Sequence, residues 1–236
     1  MLLWGNKKNM DGLLNIDYAE GRKKKRSLKY RLWRRGYEVS KAIKLYKKEF
    51  LNTKKTLKVL DLGCADGLMI KKLCKDFKIS ATGIELSNDL YERAVINCPD
   101  AKIINSDINE IDFPKNEKFD LIICTAVLEH LEDPSKVVSK IFNLLSKNGI
   151  TVWTVPDPFW EKIATFVGHL EEEQHHHIPN IKELKELANA NNLKVVEAKK
   201  FMFSPIGFPL EISIERLLIK LRLSALMANQ LLLAKK

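Results

Sequence analysis

Asp61, Gly63, Ala65 and Gly67 alternate at the end of an apolar run carried by Leu57, Val59, Leu60 and Leu62. Glycines at such a place let the backbone approach a ligand with no Cβ in the way. They also accept the dihedrals needed where a buried strand turns sharply into a helix. The free N–H groups at the start of that helix, over residues 67–77, then point at whatever lies above the strand. Twenty residues past the turn, Glu85 closes a second apolar run, 79–86. A carboxylate there can accept hydrogen bonds from both hydroxyls of a ribose. A dinucleotide fingerprint would put glycines at 65 and 68, where the chain has Ala65 and Leu68, so the ligand is expected to be a nucleoside of another kind.

The spacing acid-x-Gly-x-small-x-Gly over Asp61, Gly63, Ala65 and Gly67 resembles the first motif of class I S-adenosylmethionine-dependent methyltransferases. The resemblance runs from about residue 56 to the end and implies S-adenosyl-L-methionine as the cofactor. It implies that Glu85 holds the ribose, that Leu86 lies against the adenine, and that Asp107 accepts from the adenine amine while the Ile108 N–H donates to a ring nitrogen. Cys64, Thr125 and Val127 complete the implied cofactor-binding set. Ala65 stands where the family usually has glycine, from which weaker cofactor binding is expected. The segment Ala126-Val127-Leu128-Glu129-His130-Leu131-Glu132-Asp133-Pro134 resembles small-molecule methyltransferases of the quinone-biosynthesis type. Amino-methylating nucleic-acid enzymes carry Asp/Asn-Pro-Pro-aromatic at that place, and cytosine C5 chemistry needs a cysteine after proline, whereas Cys98-Pro99 has the reverse order.

Methyl transfer from a sulfonium is an in-line displacement on an activated electrophile, so the protein must chiefly align two partners and exclude water. A hydroxyl acceptor would need a base. His130, following the fourth strand, is the first candidate, with His175, His176 and Glu129 behind it. The run Glu171-Glu172-Glu173-Gln174-His175-His176-His177 has metal-ligating residue types, but consecutive loop residues cannot all face one ion, and no metal is expected. Cys64, Cys74, Cys98 and Cys124 lack C-x-x-C spacing and read as free thiols.

Positioning these residues requires alternating strands and helices. Strands are expected over 57–62, 79–86, 101–105, 119–125 and 150–155, and helices over 67–77, 88–97 and 135–145, the last capped by Gly149. That alternation is a doubly wound α/β sheet, with the fully apolar 121–123 as its central parallel strand. The resemblance adds a Rossmann-like seven-stranded order, 3-2-1-4-5-7-6, the last strand (229–234) antiparallel. Three segments lie outside this frame. Residues 1–26 read as a mobile basic N-terminal segment and 27–55 as an amphipathic helix with its linker. Residues 56–236 form the methyltransferase domain, including a substrate lid over 156–178 and an insert over 204–226. The insert is read as a pocket cover, a membrane contact or a subunit contact.

With 236 residues the chain can bury one sizeable core. Its charge is uneven: residues 1–58 carry 18 Lys/Arg against 5 Asp/Glu, the rest 22 against 25. The basic start points to an anionic partner. The expected partner is a small-molecule or lipid-linked acceptor methylated on oxygen, nitrogen or carbon, with peripheral membrane contact considered. One alternative is an RNA methyltransferase whose segment 22–35 grips phosphates while Trp33 or Tyr30 stacks a base. Another is a non-catalytic cofactor-binding partner protein. Without a bilayer-spanning run or a secretory signal, the expected location is cytoplasmic.

Overall fold

The computed structural model describes residues 21, 24–50, 56–166, 177–204 and 206–236. Most of the basic segment 1–26, the 167–176 part of the lid, and His175 and His176 lie outside the described residues.

The chain opens with helix α1 (Arg26–Phe50) and continues as β1 (Leu57–Leu62), α2 (Leu68–Asp76), β2 (Ile79–Glu85), α3 (Asn88–Asn97), β3 (Lys102–Asn105) and β4 (Phe119–Thr125). A single 3-10 turn (Leu128–His130) leads to α4 (Pro134–Leu144), β5 (Leu145–Pro156), α5 (Pro158–Phe166), α6 (Ile181–Ala190), β6 (Lys194–Phe201) and α7 (Glu211–Lys220). A second 3-10 turn (Ser224–Leu226) precedes β7 (Asn229–Lys235). The strands form one seven-stranded sheet, β3-β2-β1-β4-β5-β7-β6. β7 runs antiparallel between β5 and β6, while β1 to β5 pair in parallel. This is the expected order.

The two-residue period of the strands divides the core in two. Leu60, Leu62, Ile122, Cys124, Trp153, Val155, Leu232 and Ala234 face α4 and α6, meeting Val137, Val138, Ile141, Leu184 and Ala188. Their neighbours Leu57, Val59, Leu121, Ile123, Val152, Leu231 and Leu233 face α1 and α2, meeting Val39, Ile43, Tyr46, Met69 and Leu73. Strands covered on both faces must be apolar at successive positions, which is why β4 reads as a continuous hydrophobic run.

Helix starts follow local chemistry. The Asp133 side chain accepts from Ser135 N and Lys136 N, with Pro134 in the first turn. Asn180 and Glu183 form a reciprocal capping box at α6. One end differs from the sequence expectation: α4 stops at Leu144 with extended Leu145 as its cap, not at Gly149. Asn148 takes the left-handed φ, 64°, inside β5, where the register with β4 shifts between Leu145 and Ile150. Gly149 is small for another reason, since a Cβ there would lie 2.9 Å from Ser146 O and 3.0 Å from Phe119 O.

Candidate functional site at the carboxyl edge of the sheet

Parallel pairing brings the loops after β1, β2, β3 and β4 to one edge, the place where open α/β sheets bind ligands. Register aligns Leu62 with Ile84 and Cys124, and Glu85 with Asn105. Beyond the last paired residues the loops remain tied. Cys64 N donates to Ile84 O at 2.9 Å and Ser106 N to Glu85 O at 3.1 Å. The Asn105 amide donates to Glu85 O and Leu86 O at 2.9 and 3.0 Å.

Glu85 is the hinge of this arrangement. Its Oε2 accepts from Ala65 N at 2.8 Å and its Oε1 from Ser87 N at 2.9 Å, so one buried carboxylate fixes both the glycine turn and the end of β2. Leu86, next to it, keeps 48% of its surface exposed although it is large and apolar.

The glycine turn is left-handed at every second residue: Gly63 has φ 69°, Ala65 φ 50° and Gly67 φ 74°. At Gly63 an added Cβ would lie 2.6 Å from Val127 Cγ2, so the β1 and β4 loops meet there in a contact only glycine permits. At Gly67 it would lie 2.9 Å from Cys98 Sγ and 3.1 Å from Ala94 Cα, so this glycine lets α3 pack closely. Gly67 starts α2 without a side-chain cap. The methyl of Ala65 is buried against Leu90. Its cost is therefore a left-handed backbone, about 1–2 kcal/mol. Ala126, at the corresponding place after β4, is also left-handed at 57°, and strained non-glycine residues at two adjacent strand ends are a common mark of a functional edge.

The remaining sequence candidates fall as follows. Asp61 is buried at the end of β1. The Cys64 side chain lies in an interior cluster with Ile70, Ala81, Ala94 and Cys98, where burial, then Asp61 and Glu85, pushes its thiol well up, so it offers only backbone to the edge. Thr125 ends β4 opposite Thr154. Asp107 Oδ1 accepts from Asn109 N at 2.7 Å and from the Asn109 amide at 2.9 Å, an Asx turn that orders the loop after β3. Ile108 packs on the core below that loop.

The turn after β4 holds two titratable groups with different surroundings. His130 is half-buried. Glu129 is 1% exposed, and its Oε2 has no hydrogen-bond partner among the described residues. Burial pushes its carboxyl up to about 7; its own N–H and the Arg35 guanidinium pull the other way, and Glu161 adds to the rise. Glu161, on α5, is itself raised by burial against the pull of Arg31 and Arg35. Arg31 and Arg35 lie one turn apart on α1, so α1, α5 and the turn after β4 converge through these four charges.

Sequence reasoning saw the Arg31, Arg34, Arg35 cluster but could not divide it. Arg34 is wholly buried and structural, bonded to Glu38 at 3.1 Å and to both Glu215 oxygens at 2.9 and 2.7 Å. Tyr30 packs on Gly207. Of the described arginines in the proposed phosphate-gripping segment, Arg31, Arg34 and Arg35 thus lie by internal carboxylates, while Arg26 donates to Gly207 O at 3.4 Å. Residues 31, 34, 35 and 38 are spaced i, i+3, i+4 and i+7 and share one face of α1, so spacing alone could not tell the buried Arg34 from its neighbours.

His177 is exposed, with Nε2 3.2 Å from Glu183 Oε2. Among the described residues no group of three or more His, Cys, Asp or Glu is placed to hold a metal ion. No described helix is long and apolar enough to cross a membrane. All four cysteines are free.

Comparison with known proteins agrees with the geometry. Residues 25–198 match the family described as a methyltransferase domain. The malonyl-[acyl-carrier protein] O-methyltransferase of Halalkalibacterium halodurans is 28% identical over 116 residues, 46% of this chain and 43% of that one. The ubiquinone biosynthesis O-methyltransferase of Coxiella burnetii is 26% identical over 167 residues, 66% of this chain and 71% of that one. The chain thus spans less than half of the first relative and about seven tenths of the second. Among solved structures, a SAM dependent methyltransferase from Archaeoglobus fulgidus superposes with a TM-score of 0.65 at 16% identity, covering 94% of this chain and all of that one. The Rossmann-like sheet, the glycine turn tied to Glu85 and the match over 25–198 converge: the chain belongs to the methyltransferase-domain family.

Proposed function

We propose that the chain is an S-adenosylmethionine-dependent methyltransferase that acts on a hydroxyl of a small-molecule or lipid-linked acceptor. The observation that carries the reading is the Glu85 carboxylate, held by Ala65 N and Ser87 N beside the exposed face of Leu86. The edge supports such a cofactor: the contact of Gly63 with Val127 draws the β1 and β4 loops together, and the Glu85 carboxylate is fixed between Ala65 N and Ser87 N at the end of β2. Glu85 would hold the ribose, Leu86 and Ile108 the adenine with Asp107 beside it, and the backbone of 63–67 with Asp61, Thr125 and Val127 the remainder. Bound there, the cofactor supplies a methyl group already activated by a positively charged sulfur.

The chain's own residues then orient the acceptor and manage its proton. Glu129 is placed to take that proton from a hydroxyl, because its burial sets a proton affinity near neutrality. His130, the first candidate from sequence, is the adjacent residue of the same turn and would orient rather than deprotonate. Arg31 and Arg35 compensate negative charge on Glu129 and Glu161, and α5 closes over the edge to exclude water. The two O-methyltransferases named above favour oxygen as the acceptor atom. In domain terms, 56–236 is the catalytic unit, α1 docks on it, 156–178 is the lid and 204–226 an insert.

The test is incubation of the full chain with cofactor labelled in the methyl group and with cell extract, followed by mass spectrometry of lipid and aqueous fractions. Label in a small organic acceptor supports the reading. Label only in RNA, or no turnover despite cofactor binding, overturns it in favour of the RNA or non-catalytic alternative.

A further inference from the structure

Helix α7 is built inside out. Its buried residues are Glu211 and Glu215, while Leu210 at its N-cap, Leu217 and Leu221 are 76%, 55% and 59% exposed. The acids are inside for a reason. Glu215 meets the buried Arg34 and also accepts from Met202 N at 2.8 Å, and Glu211 accepts from Ser204 N at 3.1 Å. These bonds fix the rotation of the helix. With the acids held inward, Leu210, Ile214, Leu217 and Leu221, spaced i, i+4, i+7 and i+11, form one stripe turned to solvent. Ile206 and Leu223 extend the exposed apolar surface at either end.

The charges on this outer surface have one sign. Arg216, Lys220 and Arg222 are exposed, and between Ile206 and Leu223 the only acids are the two turned inward. Arg26, at the start of α1, reaches the same insert, where its guanidinium donates to Gly207 O at 3.4 Å. A continuous apolar stripe flanked by cations alone is the pattern of an interfacial helix, apolar side in the acyl boundary and basic side at anionic headgroups. A second copy of this chain is disfavoured as the occupant, because a two-fold contact through the stripe would bring the same unpaired cations together. The stripe is also no lining for the candidate site, since the inward side of α7 is its acidic side.

We infer that the outer face of α7 docks the protein on an anionic lipid surface. The surface communicates with the lid: Trp160 of α5 donates from its indole N–H to Ala225 O at 3.1 Å, in the turn that follows α7. Docking therefore sets the lid helix at the lipid boundary, with Phe159 exposed on it.

The test is co-sedimentation of the full chain with phosphatidylcholine vesicles with and without phosphatidylglycerol, alongside calorimetric titration with S-adenosylmethionine. The expected result is partition onto the anionic vesicles that weakens with salt and drops roughly tenfold or more in Leu217→Glu/Leu221→Glu. Arg216→Glu/Lys220→Glu, which leaves the stripe intact, should also lower it, while cofactor affinity stays at the wild-type value in both variants. No partition of the wild-type chain, or partition unchanged by both variants, overturns the inference. So does a wild-type dimer in sedimentation velocity that Leu217→Glu/Leu221→Glu dissociates, which would make a second copy the occupant. The cofactor titration reads the proposed activity separately, so either idea can fail alone.

Discussion

The Ala65 backbone N–H donates to Glu85 Oε2 at 2.8 Å across twenty residues of sequence, which makes one carboxylate both a brace of the glycine turn and a ligand group of the candidate site. Glu85→Ala removes the brace and the ribose acceptor together. Charge-assisted hydrogen bonds contribute about 1.5–3 kcal/mol each, so cofactor affinity should fall by at least roughly tenfold and stability by about 1–3 kcal/mol. Glu85→Gln keeps one acceptor oxygen and should lie between. Calorimetry and urea denaturation read the two effects.

The contact of Gly63 with Val127 predicts a rescue. Gly63→Ala forces a left-handed alanine and a Cβ 2.6 Å from Val127 Cγ2. Backbone strain and overpacking together should cost about 2–4 kcal/mol and displace the turn, with loss of cofactor binding. Adding Val127→Ala removes the clash but not the strain, so part of the stability should return. A double mutant no more stable than Gly63→Ala would show that the β4 loop does not limit the space.

Glu129 makes opposite demands on stability and activity. Its folded-state proton affinity, near 7, exceeds the ordinary carboxyl value of 4.5. The folded chain therefore holds this proton more tightly than the unfolded chain. The stability it contributes is complete below about 4.5 and lost as pH rises through about 7, a difference of roughly 3 kcal/mol at most. Glu129→Gln should raise the melting temperature relative to wild type at about pH 8 and leave it nearly unchanged at about pH 4. The same substitution should lower kcat by roughly 10²- to 10⁴-fold and remove a limb near pH 7 from the rate profile. His130→Ala should cost less than Glu129→Gln; the reverse order would restore His130 as the base.

The buried pair of Arg34 and Glu215 predicts a large, purely structural effect. Glu215→Ala leaves the wholly buried Arg34 guanidinium with Glu38 alone and takes the acceptor from Met202 N, and should destabilise the chain by about 3–5 kcal/mol in urea titration. Arg34→Met/Glu215→Leu removes both charges and should cost clearly less than the single change, since no ion is left without its partner.

The sheet was legible because its strands are buried on both faces, so runs such as Leu121-Ile122-Ile123 declare themselves by composition alone. The glycine turn and Glu85 were legible because a close backbone approach and a twenty-residue separation leave fixed marks in sequence. What sequence could not supply was orientation around a helix axis. Periodicity places Leu210, Ile214, Leu217 and Leu221 on one stripe of α7, but it is the inward bonds of Glu215 to Arg34, 181 residues away, and to Met202 N, and of Glu211 to Ser204 N, that turn the stripe outward. Arg31, Arg34 and Arg35 looked alike until the carboxylates near them, in the turn after β4, on α5 and on α7, were placed. Sequence put His130 before Glu129 because a histidine is singled out by type, whereas the rise in the Glu129 carboxyl comes from burial, which only the fold supplies; the two substitutions above decide between them.

The central claim is that the loops after β1, β2 and β4 hold one S-adenosylmethionine. Calorimetric titration of the full chain with that compound, beside Gly63→Val and Glu85→Ala, tests it most directly. The account predicts saturable binding of about one cofactor per chain, abolished by the first change and weakened by the second. Absence of saturable heat in the wild-type chain, or equal affinity in all three proteins, would contradict it.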